Sequence, residues 1–295
     1  MDLILKNQPL DIYNSWAVGG KAEYFCLPTT FDELKAVVSW AQERAVAITL
    51  LGGGSNVLIS DQGIPGLTIC FKNYAGIETQ TESEVVVLAG TNKSELLKFY
   101  LGKKLAPALF LAGIPGEVGG GVVMNAGVAE AYSPREFCEI VNWVEVLKPD
   151  MSLKVYKHSD IQWSYRHSLG WQPGIITRVG LSAKGSSDTT ILNQVKEANR
   201  NRLAKQPLDM PSCGSVFRNP KGHKAAQLID SCGLKGFAIG GAQVSLKHAN
   251  FIVNTGQATA DEMWRVILHV QGIVLQQKQI QLQTEVVRLG HWSDL

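Results

Sequence analysis

Leu51-Gly52-Gly53-Gly54-Ser55-Asn56-Val57 constrains this chain more than any other stretch, because three consecutive glycines follow directly on the apolar run Ile48-Thr49-Leu50. The apolar run predicts a strand that ends where the glycines begin. With no Cβ on three successive residues, the backbone can take positive φ and approach another group closely. Its N–H groups can then converge on an anion. A phosphate suits such a nest, with Ser55 and Asn56 adding side-chain hydrogen bonds. A surface turn accounts for a lone glycine triplet equally well, so a second feature has to decide.

That feature is Ala112 to Gly127, with glycine at 113, 116, 119, 120, 121 and 127 among Ile114, Pro115, Val118, Val122, Val123 and Met124. Flexible linkers are polar. Apolar residues between glycines suit a buried backbone lying against a flat ligand, and two such loops can hold one long ligand. Neither matches the common nucleotide signatures. Gly52-x-Gly54-x-x-Val57 lacks the third glycine of the dinucleotide fingerprint, and Gly20-Lys21-Ala22 lacks the hydroxyl of a P-loop. A different dinucleotide-binding fold is expected.

At 295 residues with 45% hydrophobic content, the chain can bury a large core and is long enough for two or more lobes. A formal net charge of +2 lacks the basic excess of nucleic-acid or membrane surfaces, so neither partner is expected. The start, Met1-Asp2-Leu3-Ile4-Leu5-Lys6-Asn7, has an early acid and a short apolar run, unlike a secretory signal. No stretch approaches the roughly 18 apolar residues of a membrane span. A cytoplasmic protein acting on small molecules as a monomer is expected. Cys26, Cys70, Cys138, Cys213 and Cys232 are odd in number and widely spaced, which predicts buried free thiols rather than disulfides or zinc. The histidines show no i, i+4 pair, so no metal site is expected.

Thr30 followed by Glu33 forms a capping box, and Phe31, Leu34, Val37, Val38 and Ala41 share one helical face, predicting a helix to about Arg44. With residues 15–27 before it as a turn feeding a strand and Ile48–Leu51 after it, this makes a β-α-β unit ending at the glycine loop. Leu67–Phe71, Val85–Leu88, Ile140–Leu147, Leu153–Lys157 and Ile175–Lys184 are strand-like. Helices are predicted at Leu96–Lys103, capped by Asn92 and Glu95, and at Ile191–Lys205, which Pro207 closes. The remainder contains strand-like Val216–Arg218, a helix at Lys224–Ser231, the strand Phe251–Asn254, and a long helix. That helix opens with the box Thr259-x-x-Glu262 and is expected to bury Met263, Trp264, Ile267, Leu268, Val270 and Val274. A last strand covers Ile280–Leu289. The interleaving gives an α/β or α+β body.

Three places can carry chemistry. Arg166, in Tyr165-Arg166-His167-Ser168, is a guanidinium among aromatic rings that can pair bidentately with a carboxylate or phosphate, although a structural ion pair is the more ordinary role. Pro211 to Pro220 holds Ser212, Cys213, Gly214 and Ser215 in a rigid presentation loop. With no Gly-x-Ser-x-Gly elbow, acyl transfer is a poor fit, and Ser215 reads as a proton donor or binding hydroxyl. A reactive Cys213 stays open. Glu285 interrupts an apolar strand, where a solvated edge position explains it as well as a catalytic one.

Taken together and in order, these pieces resemble the UDP-N-acetylenolpyruvoylglucosamine reductase family. The resemblance runs through Gly52-Gly53-Gly54-Ser55-Asn56, Gly113-Ile114-Pro115-Gly116 to Met124-Asn125-Ala126-Gly127, Tyr165-Arg166-x-Ser168 and Cys213-Gly214-Ser215-Val216-Phe217-Arg218-Asn219-Pro220. It continues through Gly233-Leu234-Lys235-Gly236, Gly240 to Ser245 and His248 to Asn254, and the short C-terminal part matches the family's shorter subtype. It implies an α+β fold: an N-terminal segment (1–19), an FAD-binding module of the vanillyl-alcohol-oxidase (PCMH) type made of two α/β subdomains (20–185), and a smaller α+β substrate lobe (186–295). It implies bound FAD, NADPH as co-substrate, and reduction of an enolpyruvyl UDP-sugar for peptidoglycan synthesis. By motif position, Gly52, Gly53, Gly54, Ser55 and Asn56 would hold FAD, together with Gly113, Ile114, Pro115, Gly116, Gly119, Gly120, Asn125 and Gly127. Arg166 would stabilise an enolate-like charge, Ser215 would donate the proton, and Glu285 would orient or polarise the substrate. Lys205 and Asn219 would bind substrate or nicotinamide nucleotide.

The chain departs from the commoner family pattern at Val128-Ala129-Glu130-Ala131-Tyr132-Ser133-Pro134, beside the flavin, and at Lys21, where proline is frequent. An oxidase of the same fold acting on an alcohol or hydroxy acid would usually lack the Cys213–Pro220 and His248–Asn254 pair. A non-catalytic sugar-nucleotide sensor would not need Arg166, Ser215 and Glu285 together.

Overall fold

β1 (Leu5–Pro9) and β2 (Lys21–Cys26) run antiparallel at one side of the first sheet in the computed structural model, which describes residues 3–292 apart from 129, 131 and 186. The Met1-Asp2 start, two positions of the 128–134 segment and the predicted start of the substrate lobe at 186 thus lie outside the described residues. Thr30 caps α1 (Phe31–Glu43) by accepting the Glu33 N–H, while the Glu33 carboxylate accepts the Thr30 N–H, as the sequence predicts. β3 (Ile48–Leu51) follows, then β4 (Val57–Ile59) and β5 (Ile64–Cys70). β5 inserts between β2 and β3 and runs parallel to both, giving the order β1-β2-β5-β3. The predicted β-α-β crossover is present, with one strand slotted inside it.

β6 (Ile77–Gln80), β7 (Glu84–Leu88), α2 (Lys93–Gly102), α3 (Pro107–Leu111) and α4 (Val118–Val123) come next. Six residues of the apolar glycine stretch, Val118–Val123, are therefore helical. Three consecutive helical glycines disfavour such a turn, so packing sustains it: a Cβ on Gly119 would stand 3.1 Å from Ala89 Cβ, and one on Gly121 would meet the Phe137 ring at 2.7 Å. β8 (Val141–Leu147), β9 (Leu153–Lys157), the short hairpin β10 (Gln162–Ser164) and β11 (His167–Leu169), and β12 (Ile175–Ser182) complete this part. The second sheet is fully antiparallel, in the order β6-β7-β12-β8-β9. One core joins α1 residues Leu34, Val37 and Val38 to Leu67 and Ile69 of the first sheet and to Val85, Val87, Val144 and Val179 of the second.

α5 (Ile191–Lys205) packs Ile191 and Val195 into that same core. α6 (Ala225–Ser231), β13 (Ala238–Ile239), β14 (Ala242–Val244), β15 (Ile252–Asn254) and α7 (Ala260–Lys278) build the C-terminal lobe around a second core. Trp16, Val18 and Leu58 belong to this second core, so the N-terminal segment threads into it, and Trp16 Nε1 donates to the Ile252 carbonyl at 2.7 Å. α7 carries the predicted capping box, but Leu268 is 38% exposed; Val266 takes the buried position instead. Of the predicted strand 280–289, only β16 (Val287–Leu289) is a strand, because its partner β4 is three residues long. Val216–Arg218 makes one bridge, Phe217 to Thr284, and no strand. Among the described residues no helix is long and apolar enough to cross a membrane.

Candidate active site

Gly54 explains why the glycine loop cannot carry side chains throughout. Its φ is +64°, and a Cβ there would collide with the Tyr13 carbonyl and stand 2.5 Å from Asn14 Cα. Gly52 and Gly53 face the Glu117 carboxylate, which accepts the Gly53 N–H. Asn56 ties the loop to the other lobe: its Nδ2 donates to the Glu285 carbonyl at 3.1 Å, and its own carbonyl accepts the Val287 N–H at 3.0 Å. The loop opens on a cleft of about 1040 Å³ walled by both lobes.

Every residue named from the sequence as a site candidate lines this cleft except Gly116 and Asn125. Gly116 is a turn residue at φ +87°, its carbonyl accepts the Lys93 N–H at 3.0 Å, and a Cβ there would meet Ser55 Oγ at 2.6 Å. Asn125 is buried behind the wall. Its Nδ2 donates to Glu136 and to the Ser164 carbonyl, both at 3.1 Å, while its Oδ1 accepts the Cys138 N–H at 3.0 Å. A fully occupied side chain like this braces the wall rather than touching a ligand.

Arg166 sits in the turn between β10 and β11 at φ +57°, an uncommon conformation for a side-chain-bearing residue that tends to persist at functional sites. The turn aims the guanidinium inward. Nε donates to Glu285 Oε1 at 2.8 Å, Nη2 to the Gly127 carbonyl at 3.0 Å, and Nη1 stands 3.7 Å from Glu136 Oε1. The Tyr165 ring lies 4.7 Å away. The Arg166 and Glu285 side chains are only 11% and 16% exposed. Burial pushes the Glu285 carboxyl above its ordinary range, and the guanidiniums of Arg166 and Arg218 pull it part of the way back.

Ser215 is exposed to the cleft on the Pro211–Pro220 loop. The carbonyl of the next residue, Val216, accepts the Glu285 N–H at 2.8 Å. Arg166, Glu285 and Ser215, far apart in sequence, thus line one cleft together with the glycine loop. Cys213 is buried, its Sγ donates to the Val57 carbonyl at 3.3 Å, and burial pushes its thiol well up, which disfavours the thiolate a nucleophile needs. Lys205 ends α5 at the cleft mouth. Asn219 caps the start of α6 by accepting the Ala225 N–H at 3.0 Å, and it lines the cleft as well. Sequence reasoning missed Lys93 and Glu117, both buried lining residues, and His248, whose Nδ1 accepts the Asn250 N–H at 3.2 Å.

A long cleft floored by two glycine-rich bends suits an FAD-type dinucleotide, and the residues present fit it: Gly53 offers a donor already satisfied by an anion, and Gly120 faces the cleft with nothing within 4 Å of where a Cβ would stand. Residues 22–154 match the family profile described as an FAD binding domain. The fold and site therefore define a flavin-dependent enzyme with a separate C-terminal lobe. Residues 206–289 match the profile of the UDP-N-acetylenolpyruvoylglucosamine reductase C-terminal domain. A reductase of that name from Lactiplantibacillus plantarum is 40% identical over 288 residues, covering 97% of this chain and 94% of the relative. One from Synechococcus sp. is 39% identical over 285 residues, covering 96% and 92%. The crystal structure of UDP-N-acetylenolpyruvylglucosamine reductase (MurB) from Thermus caldophilus matches with a TM-score of 0.80 at 33% identity, over 96% of this chain and 98% of that one. The chain belongs to the UDP-N-acetylenolpyruvoylglucosamine reductase family.

Proposed function

We propose that this chain reduces the enolpyruvyl group of UDP-N-acetylglucosamine-enolpyruvate to UDP-N-acetylmuramate, in peptidoglycan precursor synthesis, with FAD bound and NADPH as the reductant. The observation that carries the reading is the Arg166–Glu285 pair, joined to the Ser215 loop through the Val216 carbonyl, in the same cleft as the glycine bends.

Held at the two glycine bends and reduced by NADPH, FAD would supply the hydride for the terminal carbon of the enol ether. Negative charge then grows on the adjacent carbon and its carboxylate, and a proton completes the saturated product. Arg166 stabilises that charge. A fixed cation in a site shielded from water acts far more strongly than one in bulk, and the guanidinium is only 11% exposed. Glu285 holds the guanidinium's orientation. Beside that guanidinium, Glu285 also orients or polarises the same end of the substrate by hydrogen bonding. Ser215 delivers the proton. A serine hydroxyl is a weak acid, so the step depends on a strong base held within hydrogen-bond reach. Lys205 and Asn219 bind sugar-nucleotide phosphates or the nicotinamide nucleotide at the mouth.

In this reading, residues 20–185 serve as the cofactor unit and 186–295 as the substrate lobe, with 1–19 as a lead-in strap whose Trp16 anchors in the second core. The enzyme works in the cytoplasm as a monomer on small molecules. Steady-state assay tests the reading: NADPH oxidation should require the enolpyruvyl sugar nucleotide and yield one saturated product per NADPH. Oxidation indifferent to that substrate, with oxygen as the acceptor, would overturn it.

A further inference from the structure

Glu117 lies outside the catalytic trio, yet its carboxylate accepts the N–H of Gly53, the middle residue of the glycine loop. The loop is shaped around it: a Cβ would meet the Glu117 carboxylate at 2.9 Å from Gly52 and at 2.6 Å from Gly53. Backbone straps to α2 fix the aim of Glu117. Val118 N–H donates to the Thr91 carbonyl at 2.9 Å and Lys93 N–H to the Gly116 carbonyl at 3.0 Å. Lys93 Nζ, on a side chain lining the same cleft, donates to the Pro115 carbonyl at 2.8 Å.

Lys93 is only 4% exposed. Burial, only partly offset by the Glu117 charge, brings its ammonium down to about 7. From β5, Cys70 faces the same place, its Sγ 3.7 Å from the Gly52 carbonyl; burial raises this thiol to about 11, and Glu117 adds to the rise. The glycine loop therefore already holds one carboxylate, and the buried Lys93 amine lies near enough to feel its charge. A second anion can reach the Gly53 donor only by displacing the first, and like charges in a site shielded from water repel strongly.

We propose that Glu117 is a brake on the cofactor's diphosphate: it occupies the Gly53 donor as an internal anion that the diphosphate must displace, while Lys93 remains beneath as the counter-charge for either. The inference rests on the FAD assignment. It makes Glu117 and Lys93 determinants of cofactor affinity outside the catalytic trio.

The test is titration of the full-length chain, stripped of flavin, with FAD, ADP and riboflavin, followed by fluorescence and calorimetry. Glu117→Gln should tighten FAD and ADP about tenfold and leave riboflavin, which carries no phosphate, unchanged. Lys93→Met should weaken FAD and ADP about tenfold. Thermal melting of the flavin-free variants checks folding, and Glu117→Ala repeats the readout if Glu117→Gln does not fold. If the wild-type chain binds no FAD at all, the cofactor assignment itself fails. If FAD binds but Glu117→Gln leaves FAD and ADP unchanged, weakens them, or tightens riboflavin equally, only the brake is overturned.

Discussion

Arg166 is held by two carboxylates, a carbonyl and an aromatic ring while sitting at a positive φ, so its charge is fixed before any substrate arrives. Ser215 has the opposite character, an exposed hydroxyl on a loop whose neighbours are tightly bonded. Ser215→Ala should therefore leave flavin reduction by NADPH nearly intact and slow reoxidation by the enolpyruvyl substrate by about 10² to 10⁴. Stopped-flow traces with both half-reactions equally slowed would contradict that role. Glu285 makes a pH prediction. Its folded-state carboxyl is raised above 4.5 by burial, so the folded chain holds this proton more tightly than the unfolded one. That contribution is complete below 4.5 and is lost as pH rises through the raised value. Glu285→Gln, which cannot ionise, should lack this decline, as urea midpoints between about pH 4 and 7 would show. An identical decline in both proteins would place the titration elsewhere.

Among the elements, those with local signatures were legible. The boxes at Thr30 and Thr259 set the two best-defined helix starts, since a cap needs only residues three apart. Some short strands were not legible. β4, β10 and β11 are each three residues long, and β4 finds its partner more than two hundred residues away, so no local periodicity marks them. Motif position also conveys where a residue lies but not which way its side chain points. Asn125 belongs to the glycine stretch yet turns into the wall, and Glu117, from the same stretch, turns into the cleft. Gly54 is where the loop's shape depends on one residue. Gly54→Ala places a Cβ at positive φ against Tyr13 and Asn14, and should destabilise the chain by more than about 1 kcal/mol while weakening FAD. Unchanged melting and unchanged FAD affinity would show that the bend accommodates a side chain.

The described residues pack around two large cores and a smaller third cluster that includes Phe25 and Leu51, stitched together across the cleft. The Asp61 carboxylate accepts the N–H groups of Ala260 and Asp261 at 2.9 Å each, capping the first turn of α7 from the other unit. β16 pairs with β4, and Asn56 holds the backbone of Glu285. The cofactor loop and the residues assigned to proton and charge control are thus parts of one cleft, an arrangement that no single stretch of sequence displays, because its pieces come from residues near 54, 117, 166, 215 and 285. The most direct test of that joint cleft is a single turnover without oxygen. The yellow protein is bleached with one equivalent of NADPH and then mixed with the enolpyruvyl sugar nucleotide. The flavin absorbance should return as one equivalent of saturated product appears; a protein that stays bleached until air is admitted would contradict the account.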